Sequence, residues 1–378
     1  MMNILILGGT GAIGSHLVSI LSDVQNQIYI TSRSKHENKK NVCYILGDAH
    51  DVGFIQSLLA ERSYEVIIDF MYYSSKEFSN RVHLFLEHGG QYICISSSRV
   101  YANSKNPITE ECPRLLDVIS DKEYLNGHDY SIEKCRLEDI LTSSTYNNYT
   151  IIRPYITYSE NRLQLGIYEL KDWYYRVLHG RTIQLSSRIA NSYTTLTYGL
   201  DVAKGIASIV GQKKAWGEVY HITQDNPITW KQVLLIYIEE IECKTNIRPK
   251  IQITPKDIFT SIADRDMQVE YDRSYNRLFD NSKISSFCDT TDFLHPDVGI
   301  RNCIRSFLTN PVIAPPDWWR QVLIDRLTGD IASEEEFQSL DAYHTYLKVR
   351  NARFLSIYNR YALLKKKIKH VIKKSIHN

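Results

Sequence analysis

The 378-residue chain has no C-x-x-C pair, and its seven cysteines (Cys43, Cys94, Cys112, Cys135, Cys243, Cys288 and Cys303) are odd in number and scattered. Neither a disulfide framework nor a zinc site is expected, and the pattern suits a reducing compartment. The twelve histidines show no metal-ligand spacing, so no metal is expected either. No stretch approaches the ~18 apolar residues of a membrane span. The apolar start, Met1 to Leu7, lacks a basic leader and runs straight into glycines, so it reads as a buried strand and not a signal peptide. Internal repeats and low-complexity tracts are absent. These absences point to a soluble, cytoplasmic protein with no nucleic-acid partner.

What is present is ordinary for a globular chain: 43% hydrophobic and 23% charged residues. The length allows two or three domains. A net charge of +2 hides an asymmetry. From Lys348 onward there are ten Lys or Arg and no Asp or Glu, so the preceding body carries a net −8. In that last stretch Phe354, Ile357, Tyr358, Tyr361, Leu364, Ile368, Val371 and Ile372 recur at helical spacing among lysines, the pattern of a basic amphipathic helix. Three partners are open to it: the acidic body or a second subunit of a homodimer, the inner face of a membrane touched peripherally, or solvent alone.

Short apolar runs at Asn3–Leu7, Gln27–Thr31, Val42–Leu46, Val66–Asp69, Tyr92–Ser96 and Thr150–Arg153 alternate with helical patterns at Ile13–Leu21, Val52–Ala60, Lys76–Glu87 and Tyr130–Leu141. Continuous apolarity suits strands covered on both faces, and the alternation predicts an α/β fold with a doubly wound parallel sheet. Residues 1–155 form this first domain, its sheet completed by segments near 193–222. Residues 156–312 form a smaller mixed α/β substrate domain, with Asp201 expected to cap a helix through Ile209. Residues 313–378 form a helical C-terminal extension ending in the basic helix. Within that extension, Trp318 and Trp319 after Pro315-Pro316 read as a domain edge with aromatic packing.

Gly8, Gly11 and Gly14 stand in G-x-x-G-x-x-G order between the first strand and the first helix. The sharp turn, the close approach of backbone to a pyrophosphate, and the packing of helix on sheet each exclude a Cβ. The helix N-terminus then offers free N–H groups to phosphate, so a dinucleotide is the expected cofactor. After the second strand, where a carboxylate would bind ribose hydroxyls, stand Ser32, Arg33, Ser34 and Lys35. Arg33 can clamp a 2′-phosphate, which favours NADP(H) over NAD(H). Asp48 is placed to meet the adenine amine or to cap the helix near Val52.

Tyr130 and Lys134 share one helix face at i and i+4, and Ser96-Ser97-Ser98 leaves the fifth strand at its C-terminal edge. Hydride transfer needs a matching proton transfer on the adjoining oxygen. A free phenol titrates near ~10, and a neighbouring ammonium favours its phenolate. Ser97 would hold the reacting oxygen.

These elements, with Val100-Tyr101 and Arg153-Pro154, resemble the extended short-chain dehydrogenase/reductase superfamily in its NAD-dependent epimerase/dehydratase branch, over about residues 1–310. The resemblance implies a Rossmann-type sheet and an NAD(P)-dependent enzyme of nucleotide-sugar metabolism; a membrane contact through the basic helix would suit a role in surface-polysaccharide biosynthesis. It implies catalysis by Ser97, Tyr130 and Lys134, and a cofactor held by Gly8, Thr10, Gly11, Ala12, Ile13, Gly14, Ser32, Arg33, Asp48, Tyr130, Lys134 and Pro154. Arg181, Arg188, Arg273 and Arg277 are candidates for a substrate diphosphate. Three departures stand out: Asp69-Phe70-Met71 replaces a small-residue segment, Ser98-Arg99 replaces the Asp-Glu pair of sugar 4,6-dehydratases, and Thr157-Tyr158-Ser159 replaces a Tyr-Gly-Pro turn. Dehydration is disfavoured, leaving epimerisation or 4-keto reduction. The alternative is a non-catalytic NADP(H)-binding regulator or scaffold on the same fold.

Overall fold

The computed structural model describes residues 1–255 and 266–352. Among these, one parallel sheet of seven strands dominates: β1 (Asn3–Leu7), β2 (Gln27–Ser32), β3 (Val42–Leu46), β4 (Tyr64–Asp69), β5 (Gly89–Ile95), β6 (Tyr149–Pro154) and β7 (Glu218–Ile222), in the order β3-β2-β1-β4-β5-β6-β7. Chain order reverses between β1 and β4, and ligands of such sheets bind outside the strand ends at that point. Successive residues of β1, Ile4 to Leu7, are fully buried because both faces are covered. Helices α1 (Gly14–Asp23) and a later helix, Gly199–Ile209, bury one face; α2 (Val52–Glu61), the helix Val82–His88 and α3 (Tyr130–Thr142) bury the other. The alternating pattern of apolar runs therefore reports the Rossmann-type architecture correctly.

Local details differ from the expectations for physical reasons. Lys76–Glu87 is not one helix but two, Ser75–Ser79 and Val82–His88. Arg81 breaks it by turning inward, where its guanidinium donates to the carbonyls of Ala49 (3.1 Å) and His50 (3.0 Å). Asp201 caps nothing. Its helix begins two residues earlier, and the buried carboxylate accepts from the Leu294 N–H and Lys204 Nζ, each at 2.8 Å. Of the stretch 193–222, only β7 joins the main sheet; Tyr193–Thr194 pairs with Ile228–Thr229, and Leu196–Tyr198 with Ile156–Tyr158.

The remaining chain packs a second core around Trp173, which lies flat on Tyr237 (4.6 Å, 6°), and Trp230. The extension docks on this core through α4 (Trp318–Thr328) and α5 (Leu340–Asn351). Its anchor is ionic: the fully buried Asp325 meets Arg176 and Arg181 at 2.8 Å each and accepts from the Tyr346 hydroxyl at 2.7 Å. Trp318 stacks on Phe337 at 4.0 Å. No helix among the described residues is long and apolar enough to cross a membrane. The basic amphipathic stretch from Phe354 to Ile372 lies outside the described residues.

At the end of β7, the buried His221 must carry its proton on Nε2, because that atom faces the Asp280 carbonyl at 2.7 Å. Nδ1 then accepts from the Tyr101 hydroxyl at 3.2 Å. Burial pushes the imidazole down to about 4. Unfolded chains protonate histidine near ~6.5, so the neutral ring stabilises the fold above that pH, and the contribution is lost as pH falls toward 4. Asp69 works in the opposite sense, since burial pushes its carboxyl up to about 6, so a difference measurement isolates the histidine. Denaturant titrations of wild type and His221→Gln between pH 7 and 4 should show the stability difference shrinking by roughly 2–4 kcal/mol; a pH-independent difference contradicts this.

Candidate functional site

The glycine turn leaves β1 with Gly8 at φ +72°, a left-handed conformation that disfavours any Cβ. A Cβ on Gly14 would lie 2.5 Å from the Gly9 carbonyl oxygen, so glycine there lets α1 pack on the turn. Gly11 is different. A Cβ there would meet no protein atom within 4 Å, so the protein leaves open space over the turn. No side chain caps α1 and no acid sits in its first turn, which leaves its N–H groups and partial positive charge for an anion. An unfilled cradle above an uncapped helix fits a dinucleotide pyrophosphate.

On one side of this turn, a cavity of about 340 Å³ brings together Gly8, Thr10, Ser32, Arg33 and Asp48. Arg33 stands exposed on its rim, while the Ser32 hydroxyl is occupied locally by the Ser34 N–H at 3.1 Å. The helix near Val52 is capped by Asp51, which accepts from the Gly53 and Phe54 N–H groups. Asp48 therefore does not cap α2; among the described residues its carboxylate accepts only from the His50 N–H, and the residue lines the cavity. Phe70 and Met71 line it too. Next to it, a cleft of about 380 Å³ holds Gly11 and Ala12 against Ser159 and Arg162.

A further cavity, of about 360 Å³, brings Ile13 of the glycine turn together with Ser97, Tyr130 and Pro154. Ser97 leaves β5 and opens a short 3-10 turn, its Oγ accepting the Arg99 N–H at 3.2 Å. That bond uses an acceptor site and leaves the hydroxyl proton free to donate. Tyr130 is the first residue of α3, capped by Asp129. Lys134 is buried one turn on; its Nζ donates to the Ile95 carbonyl at 2.7 Å and lies 5.9 Å from the Tyr130 ring centre. Tyr72, half-exposed, stacks on Tyr130 at 5.5 Å and 21°. It lines the cavity around Arg33 while its stacking partner lines the other, so it marks the boundary between them.

The same helix face continues to Glu138, a turn beyond Lys134. Its buried carboxylate takes the Ser96 hydroxyl at 2.6 Å, Arg153 Nε at 2.9 Å and Arg153 Nη2 at 2.7 Å. Arg114 adds a longer contact at 3.4 Å. Tyr130, Lys134 and Glu138 thus form a stripe at i, i+4 and i+8, two of them bolted to the ends of β5 and β6.

The four arginines considered for a diphosphate separate. Arg181 does not face the cavity; its guanidinium is committed to Asp325 and Glu336. Arg188 is exposed and outside it. Arg277 is fully buried, bonded to Asp272 and to the carbonyls of Ala102 and Tyr271. Arg273 alone of the four lines the cavity, joined there by Arg99, Arg162 and Glu169. Those last three lie in loops with no spacing signal, and Arg99 stood out in the sequence only as a departure from an acidic pair. Burial would raise the Asp272 carboxyl, but the Arg273, Arg277 and Arg99 guanidiniums outweigh it and hold the group below its usual range.

Residues 4–222 match the NAD-dependent epimerase/dehydratase family. No curated protein matches the sequence. Solved structures with the same fold include WbmH of Bordetella bronchiseptica in complex with NAD+ (14% identity, 82% of this chain and 100% of that one, TM-score 0.62). Another is dTDP-glucose 4,6-dehydratase of Bacillus anthracis with NAD (18%, 82% and 97%, TM-score 0.59). A third is UDP-glucuronic acid 4-epimerase of Bacillus cereus with UDP-glucuronic acid and NAD (15%, 82% and 99%, TM-score 0.60).

Removing the Glu138 charge strands Arg153 in the interior, and breaking a buried pair costs about 3–5 kcal/mol. Glu138→Leu should lower unfolding free energy by that amount in urea titration; a loss under about 1 kcal/mol contradicts the anchoring role assigned to it.

Proposed function

The chain belongs to the NAD-dependent epimerase/dehydratase family, and on that premise we propose that it is an NADP-dependent nucleotide-sugar epimerase or 4-ketoreductase. The observation that carries this reading is the single cavity shared by Ile13 of the glycine turn, Ser97 and Tyr130, with the Lys134 ammonium behind.

A bound nicotinamide dinucleotide supplies the acceptance and return of a hydride. Gly8, Thr10, Gly11, Ala12, Ile13 and Gly14 would hold its pyrophosphate, with Ser32, Arg33 and Asp48 around the adenosine and Pro154 beside the nicotinamide. Arg33 favours a 2′-phosphate because a guanidinium binds one bidentately and no carboxylate competes at the end of β2. At the reacting carbon, the Tyr130 phenol oxygen takes the hydroxyl proton as the carbonyl forms and returns it when the carbonyl is reduced. Lys134, fixed by the Ile95 carbonyl, retains two ammonium protons and stabilises negative charge on that oxygen. Ser97, its Oγ already accepting from Arg99 N–H, donates to the carbonyl oxygen of the keto sugar. Arg273 is the diphosphate ligand that the cavity offers from the original four. Ser98 and Arg99, replacing an acid pair, leave no carboxylate there to drive water elimination, which favours epimerisation or reduction. These two outcomes differ in whether the keto sugar turns over in the cavity before it is reduced.

Tyr130→Phe should lower kcat about 10²–10⁴-fold on nucleotide sugars while NADPH binding changes little. Turnover that survives the substitution contradicts the proton-transfer role. Cofactor binding by wild type with no turnover of any UDP-, GDP-, CDP- or dTDP-sugar would favour the regulator or scaffold alternative. Arg33→Ala should weaken NADPH binding about 10- to 100-fold by calorimetry and leave NADH within about 3-fold; equal losses for both contradict the NADP preference.

A further inference from the structure

The cavity beside Tyr130 is lined by Arg99, Arg162 and Arg273 with one carboxylate, Glu169, and Arg277 is buried outside its lining. Arg99, Arg273 and Arg277 surround one carboxylate, Asp272. Arg277 Nε lies 3.0 Å from Oδ1, Arg99 Nε lies 3.5 Å from Oδ2, and Arg273 is in closer contact with Oδ2. Arg99 is 16% exposed and the other three side chains no more than 3%. Around Asp272 itself three guanidiniums meet one carboxylate, a local excess of positive charge that Asp129, acting on Arg99, offsets only in part. Burying charge without a full set of partners is expensive, so an anion entering beside these groups would be stabilised.

The three arginines are not equally engaged. Arg277 fills its fork with backbone carbonyls, and Arg273 donates to the Gly166 carbonyl at 3.0 Å. The Arg99 guanidinium makes no hydrogen bond among the described residues, and its buried Nε is left with only the 3.5 Å contact to Asp272. It lines the cavity, two residues after Ser97, and its central carbon lies 5.2 Å from the Tyr130 ring centre.

We propose that Arg99 is a specificity-determining residue that receives a carboxylate carried on the sugar carbon next to the reacting one, so that the substrate is an acidic sugar nucleotide. The inference rests on the nucleotide-sugar reading above and sharpens it. Position favours the carboxylate over the diphosphate: Arg99 follows Ser97 by two residues, its N–H bonds the Ser97 Oγ, and its guanidinium lies 5.2 Å from the Tyr130 ring centre, so an anion on its free edge sits beside the reacting oxygen, whereas Arg273, sharing Asp272 Oδ2 with it, is already held by the Gly166 carbonyl. A planar carboxylate matches the free edge of a guanidinium with two parallel hydrogen bonds.

The test is calorimetric binding to the full chain loaded with cofactor, using UDP-glucuronate against UDP-glucose and GDP-mannuronate against GDP-mannose. Wild type should bind the acidic member of one pair at least about 10-fold more tightly. Arg99→Gln should abolish that preference, so that the acidic and neutral members of the pair bind within about 2-fold of each other. Arg99→Lys, which keeps charge but not the fork, should restore part of it. Thermal melts of both variants separate misfolding from lost recognition. Equal binding of acidic and neutral sugars by wild type, or a preference that survives Arg99→Gln in a folded protein, overturns the proposal and leaves the nucleotide-sugar reading standing. Binding of neither member of either pair overturns the proposal, and absence of binding by CDP- and dTDP-sugars as well overturns the nucleotide-sugar reading with it.

Discussion

The site depends on how one helix face is fixed to the sheet. Tyr130, Lys134 and Glu138 stack one turn apart on α3, and the last two are bolted to the strand ends by the Ile95 carbonyl, the Ser96 hydroxyl and the Arg153 guanidinium. Each bond is buried, where polar groups cannot drift to water without losing their partners. The geometry of Tyr130 therefore follows from interactions it does not itself make. Its ring is then held on two sides, by Tyr72 stacked on one face and by the Arg99 guanidinium 5.2 Å from its centre.

The glycine turn supplies the opposite wall. Gly14 brings α1 against the turn, and the carbonyl of Ala12 would lie 2.4 Å from a Cβ at Gly199, so a second helix presses on the same loop. Of the glycines in the turn, only Gly11 faces open space. Close packing at Gly8, Gly9 and Gly14 with open space at Gly11 leaves a cradle of fixed shape, which is what preorganised phosphate binding requires. Ile13, the residue before α1, reaches the cavity containing Ser97 and Tyr130, so phosphate cradle and proton-transfer groups share one continuous wall.

Much of this was legible in the residues because the signals are local. Apolar runs read as doubly covered strands, the glycine spacing reads as a strand-to-helix turn, and i, i+4 spacing on α3 reads as one face. The signals that failed were long-range. Arg81 breaks a helix by bonding to carbonyls of residues 49 and 50, and Asp201 is drawn into the interior by a partner at Leu294. Arg181 belongs to a buried ionic anchor with Asp325 in the C-terminal extension, so a guanidinium suited to phosphate is spent on structure. Arg99, Arg162 and Glu169 enter the cavity from loops whose positions no periodicity encodes. A departure from a familiar pattern, Arg99 in place of an acid, was the one trace of them in the sequence.

The account stands on a nicotinamide reaching the cavity that Ser97 and Tyr130 line, past the Tyr72 ring at its boundary. A crystal structure of the chain with NADP+ tests this most directly. The account requires the pyrophosphate over Gly11, the 2′-phosphate on Arg33, and the nicotinamide ring seated within reach of the Tyr130 hydroxyl. A complex in which only the adenosine half is seated, with Tyr72 still stacked on Tyr130 and the nicotinamide ring in solvent, would contradict it.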